Sequence, residues 1–134
     1  MNKIHQYSIL CASRQGQTAA LAALREGRER NYDEVLRMRE SYDRRRRLMV
    51  DGFRSMGLNC FEPLGAFYVF PSIKKTGLTS EAFCQRLLQE EKVACVPGTA
   101  FGACGEGHIR CSYATAVDKL NLALDKMASF VSRL

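Results

Sequence analysis

The chain has 134 residues, 46% of them hydrophobic and 25% charged, with six cysteines, two histidines and a net charge of +6. This suits one folded domain with a modest core and excludes a disordered or low-complexity tract. The cysteines (Cys11, Cys60, Cys84, Cys95, Cys104 and Cys111) form no CxxC pair, and His5 and His108 are far apart. That argues against zinc and against a disulfide framework, so reduced thiols are expected, with Cys104 as the reactive candidate.

The start carries an apolar run only from Tyr7 to Leu10, too short for a signal peptide, and no window approaches a membrane span, so a cytoplasmic protein is expected. Gln15 to Glu26 reads as a helix with Gly27 at its C′ position. Asn31 is then an N-cap with Glu34 three positions on, opening a long helix to Met56 that Gly57 stops. Val35, Met38, Tyr42, Met49, Phe53 and Met56 make its apolar stripe, read as core packing. Within it, four consecutive arginines, Arg44 to Arg47, turn through roughly 300° on a helix and cannot share one face. They predict a solvated or salt-bridged surface and no nucleic-acid partner.

From Leu58 the pattern shortens to extended runs at Asn59–Glu62 and Ala66–Phe70, joined by a turn at Pro63, Leu64 and Gly65 and ended by Pro71. Phe67 and Tyr68 are expected to pack within the sheet, the alternative being a place near the side chain of a bound ligand. Thr79 caps a helix through Leu87 and Leu88. The last helix opens at Thr115, its buried face being Leu120, Leu124, Met127, Val131 and Leu134. Ser72 to Lys75 fits SxxK and Lys75 to Gly77 fits KTG, but the two share Lys75 and no SDN accompanies them, so the match is a coincidence of short motifs.

The most telling stretch is Val93 to Ala114, VACVPGTAFGACGEGHIRCSYA. Val93 to Val96 reads as a buried strand ended by Pro97 and Gly98. Gly98, Gly102, Gly105 and Gly107 then make a tight loop too flexible for a helix, with neither the Lys-Ser/Thr of a P-loop nor GxGxxG spacing. In the next strand, alternation puts Ile109, Cys111 and Tyr113 on one face and His108, Arg110, Ser112 and Ala114 on the other. Arg110 therefore points away from the apolar set. A guanidinium stays charged and offers a planar fork that fits a carboxylate, so Arg110 either grips a small acid or pairs with a structural Asp or Glu or with water.

The predicted order is two helices, two strands, a helix, two strands and a helix. This is an α+β fold in which a small, mainly antiparallel four-stranded sheet carries helices on one side. The chain reads as a single domain over 1–134, with 1–30 a linking helical segment and 31–134 the core. Apolar helix surface beyond what four strands cover predicts that it packs against something else.

Three runs in order, KIHQYSILCAS at Lys3–Ser13, GAFYVFP at Gly65–Pro71 and VACVPGTAFG with GEGHIRCSYA after Val93, resemble a known family. They look like the C-terminal domain of the pyridoxal-phosphate-dependent aminotransferases of fold type I, in the subgroup of aspartate, aromatic and N-acetyl-diaminopimelate aminotransferase-like enzymes. The resemblance implies transfer of an amino group between an amino acid and a 2-oxo acid, pyridoxal 5′-phosphate as cofactor, a homodimer, and Arg110 as the residue that binds the substrate α-carboxylate. It also implies that the Schiff-base lysine and the other cofactor-binding residues lie upstream, in a missing N-terminal large domain. On this expectation the chain is a C-terminal fragment that is inactive alone and contributes no catalytic or cofactor-binding residue. A carbon–sulfur lyase of the same fold and a non-catalytic amino-acid-binding or interaction domain stay open at this point.

Overall fold

A computed structural model describes residues 12–134, so Cys11 and most of the KIHQYSILCAS run lie outside the described residues. In chain order the elements are α1 (Arg14–Glu29), α2 (Asp33–Ser55), β1 (Tyr68–Val69), α3 (Ser80–Glu91), β2 (Val96–Pro97), β3 (Ile109–Ser112) and α4 (Val117–Val131). They form two compact units, Met1–Arg39 and Glu40–Leu134, the division falling within α2.

In the first unit, Ser13 caps α1, its hydroxyl accepting from the Gly16 N–H at 3.2 Å. The helix runs past its expected end because Gly27 serves packing: a Cβ there would meet the Tyr32 ring at 2.8 Å. Asn31 is not an N-cap. It and Tyr32 form a left-handed turn, with φ of 50° and 56°, that reverses the chain into α2. The guanidinium of Arg30 ties the turn to both helices through Glu26 at 3.1 Å and Glu34 at 3.2 Å. Helix α1 buries no residue, and Leu21, Leu24, Val35 and Met38 are exposed, so the predicted stripe is not a core face at its N-terminal end.

The second unit is built on the rest of the stripe. Met49, Val50 and Phe53 are buried, and Gly57, at φ 76°, stops α2 as expected, with the Leu58 N–H returning to the Phe53 carbonyl at 3.0 Å. The sheet has three strands, in the order β1-β3-β2, all antiparallel. Val69, Ile109 and Cys111 from the sheet join Phe83 and Leu87 of α3 and Leu120, Leu124, Met127 and Phe130 of α4 in one core. Each fully buried large apolar side chain contributes about 1.5–3 kcal/mol. Gly52 leaves room for the Leu124 side chain, which a Cβ would meet at 2.8 Å.

Two expected strands are corrected. Asn59–Glu62 is irregular: Cys60 is buried but Phe61 is exposed, and Asn59 makes one ladder-like bond, its carbonyl accepting from Ser72 N–H at 2.8 Å. The Val93 strand begins only at Val96, because Lys92 ends α3 in a left-handed conformation and the next residues climb back toward the sheet. Thr79 caps α3 as expected, accepting from Ala82 N–H at 3.2 Å. Helix α4 starts at Val117, two residues after Thr115, and buries Phe130 rather than Leu134. The arginine run is a salt-bridged surface. Arg46 pairs with Asp43 and Glu62, Arg47 reaches Asp43 at 2.6 Å, and the Arg45 guanidinium carbon lies 5.3 Å from the Tyr42 ring centroid.

The glycine loop is not free coil. It contains 3-10 turns at Gly98–Phe101 and Ala103–Gly105. Gly98 and Gly105 meet backbone to backbone, so that a Cβ on either would overlap the carbonyl oxygen of the other. The Gly98 N–H also donates to the His108 carbonyl at 2.8 Å. Ser80, the buried polar residue among the described core, anchors the loop to α3: its hydroxyl accepts from the N–H of Gly107 at 2.8 Å and of His108 at 3.2 Å. The Glu106 carboxylate in turn accepts from Ser80 N–H at 2.9 Å, where the helix dipole favours an anion. Gly105→Ala is expected to lower unfolding free energy by about 1–3 kcal/mol or more, measured by urea denaturation; wild-type stability would show that the two backbones do not touch.

Candidate functional site

The site grows from the parity of β3. Ile109 and Cys111 face the core, so Arg110 between them is half-buried on the opposite face. The register pairs Tyr68 with Ser112 and Val96 with Arg110, which puts Tyr68 and Val96 on the side of Arg110. The Arg110 guanidinium carbon lies 4.4 Å from the Tyr68 ring centroid and 4.6 Å from that of Phe101. Two aromatic rings thus cover the guanidinium, one from the sheet and one from the glycine loop. At these distances a ring attracts the cation by roughly 0.5–2 kcal/mol, more as water is excluded.

The aromatic wall continues beyond the arginine. Phe101 meets Phe70 edge-on at 6.1 Å, and Phe70 stacks on His108 at 5.4 Å with the ring planes 8° apart. Charge is left uncompensated here. The ion pairs of the described residues use Arg30, Arg37, Arg46, Arg47, Arg86 and Arg133, and Arg110 is in none of them. Glu106, four residues away, is engaged at the start of α3. With two rings over it and no ion pair among the described residues, the guanidinium offers N–H donors, and a carboxylate is the group that such a fork fits in a bidentate way.

Tyr68, half-buried in β1, lies against the Arg110 guanidinium, whereas Phe67 is 40% exposed and lies against Tyr68 and Tyr42 at 4.7 and 6.0 Å. Phe101 was not visible in the sequence as a site residue, since an aromatic inside a glycine-rich loop has no periodicity to place it. Cys104 is exposed in the same loop. Lys75 to Gly77 is a structural turn, Thr76 hydroxyl donating to the Ile73 carbonyl at 2.7 Å and Gly77 taking a φ of 72°. Lys74 and Lys75 are exposed, and the Lys74 stem lies over Gly107. Among the described residues no cluster of His, Cys, Asp or Glu could hold a metal ion, and no helix is long and apolar enough to cross a membrane.

Comparison with known proteins finds relatives in sequence and in three dimensions. The family model for aminotransferase class I and II matches residues 1–126. The aspartate aminotransferase of Pyrococcus abyssi is 50% identical over 95% of this chain and 32% of its own length. The aromatic-amino-acid aminotransferase 2 of Thermococcus litoralis is 46% identical over 95% of this chain and again 32% of its own length. In three dimensions the aromatic aminotransferase from Pyrococcus horikoshii superposes with a TM-score of 0.89 at 45% identity, covering 98% of this chain and 34% of that one. The chain thus spans about a third of the length of the relatives it matches.

Replacing Phe101 by Ala removes one ring from the guanidinium and is expected to loosen it: the Arg110 Nε–H order parameter should fall below about 0.6, the flexible range, while global stability drops by no more than about 1 kcal/mol. An unchanged order parameter by NMR relaxation would mean that the Phe101 ring does not hold the arginine.

Proposed function

This chain belongs to the class I and II aminotransferase family, and from that membership we propose that it carries the substrate-carboxylate wall of a pyridoxal-phosphate-dependent aminotransferase, with Arg110 as the group that binds the α-carboxylate. The observation that carries the reading is Arg110 itself, an arginine with two aromatic rings on its guanidinium and no acidic partner among the described residues. Support also comes from the relatives, whose names include aspartate and aromatic aminotransferases. The substrates of the whole protein are on this reading an amino acid and a 2-oxo acid, both of which present a carboxylate to the same fork.

The cofactor, when bound, supplies an electron sink for the bonds at the substrate α-carbon. The described residues do not fit it. Lys74 and Lys75, the lysines nearest in sequence to the GAFYVFP strand, are exposed on a turn, without the burial that a Schiff-base lysine needs. The groups that hold the cofactor therefore lie outside the described residues, and the 134-residue chain by itself is proposed to be inactive. What this chain contributes is binding and orientation. The fork takes both carboxylate oxygens, fixes the plane of that group, and thereby sets the direction of the neighbouring C–H bond. Positioning of this kind lowers a barrier by several kcal/mol, so losing it costs rate as well as affinity.

In a full-length protein containing this chain, Arg110→Lys keeps the charge and loses the fork. It is expected to lower kcat/KM for amino acid substrates by about 10–100-fold, and steady-state kinetics indistinguishable from wild type would end the carboxylate assignment. For the 134-residue chain, borohydride treatment with pyridoxal phosphate should trap no stoichiometric, site-specific lysine adduct, and recovery of one would overturn the proposed inactivity.

A further inference from the structure

On the other face of the sheet, away from Arg110, three thiols converge. Cys84 comes from α3, Cys95 from the residue preceding β2, and Cys111 from β3. The Sγ atoms of Cys84 and Cys95 are 3.3 Å apart, and the register that pairs Val96 with Arg110 sets Cys95 opposite Cys111. A second feature gives this pair access to solvent: a surface cavity of about 230 Å³ is lined by Glu81, Cys84, Gln85, Leu88, Cys95 and Pro97. Cys84 is 8% exposed and Cys111 9%, whereas Cys95 is half-buried.

We propose that Cys84 and Cys95 form an oxidisable dithiol, a modification site that a small hydroperoxide entering this cavity converts to a disulfide joining α3 to the start of β2. The sulfur atoms need to close by only about 1.3 Å to reach the bond length of about 2.05 Å. Cys95, the more accessible of the two, attacks the peroxide: its S–O bond forms as the O–O bond breaks, and the departing alkoxide takes a proton to leave as an alcohol. The sulfur of Cys84 then displaces the hydroxyl from Cys95, which departs as water. Two thiols are oxidised, one hydroperoxide is reduced to alcohol and water, and the two thiol hydrogens are accounted for. Cys111 is left as a free thiol.

The surroundings set the pace of the reaction. The neighbouring Cys111 thiol, together with burial, holds the Cys95 thiol up at about 12, although its contact with Cys84 acts in the other direction. Cys84 is raised by its hydrogen bond to Cys95 and by burial. Both thiols are therefore protonated in neutral solution and react slowly, since the thiolate is the nucleophile. Exposed Cys104 is the internal reference for an ordinary accessible thiol.

The experiment exposes the intact protein, in mildly alkaline buffer, to excess cumene hydroperoxide until Cys104 is fully modified, blocks the remaining thiols, and maps non-reduced peptides by mass spectrometry. The expected product is a peptide pair joining Cys84 to Cys95, about 2 Da lighter than its reduced parts. It should persist in Cys104→Ser, be absent from Cys84→Ser, and raise the melting temperature of the oxidised protein by about 5–10 °C. Recovery of Cys84 and Cys95 as free blocked thiols would overturn the proposal, as would a cross-link from Cys95 to Cys111 or oxidation of Cys95 alone.

Discussion

The second unit depends on a place where two stretches of main chain touch with no side chain between them. Gly98 and Gly105 lie so close that a methyl group on either would overlap the other's carbonyl. The Ser80 hydroxyl then fixes the returning end of the loop by accepting from the buried Gly107 N–H and from the N–H of His108, which also donates to the Gly105 carbonyl at 3.2 Å. Phe101 lies between these two anchors along the chain, and β3 begins immediately after the second. The aromatic ring over Arg110 and the strand that presents Arg110 are thus positioned by the same pair of contacts. A loop built this way is rigid at its base, which is what a side chain acting from it requires.

What was legible in the sequence follows from which physical signals are local. Alternation along residues 108–114 set Arg110 apart from Ile109, Cys111 and Tyr113, and burial in the structure divides them that way, because a strand's side-chain parity is a property of its own backbone. Gly57 and Thr79 ended and began helices as read, since capping involves only neighbours in sequence. Gly27 and Asn31 misled. A glycine chosen for a tertiary contact with Tyr32 looks the same in sequence as one chosen to stop a helix. The missing strand at Asn59–Glu62 has a similar origin: Cys60 is buried by the unit's core, not by a ladder partner.

The candidate site was legible in its cation and not in its walls. Tyr68 reaches Arg110 because β1 pairs with β3 in one register, and a single residue's slip would have turned its ring to the core. Phe101 gets there through a loop whose shape comes from backbone contacts that no periodicity reveals. Membership of the class I and II aminotransferase family adds the longer context, a polypeptide about three times the length of this chain in the relatives compared. The exposed apolar side chains of the first unit, Leu21, Leu24, Val35 and Met38, fit a polypeptide in which further surfaces meet this one.

The two aromatic rings over Arg110 have a thermodynamic meaning of their own. A free arginine side chain has about 2 kcal/mol of rotamer entropy to lose when a ligand fixes it. Here the Tyr68 and Phe101 rings lie against the guanidinium and leave it fewer rotamers, so part of that loss occurs on folding. In the proposed binding of a carboxylate, fewer degrees of freedom would be left to freeze, and a larger share of the charge-assisted hydrogen bonding would appear as affinity.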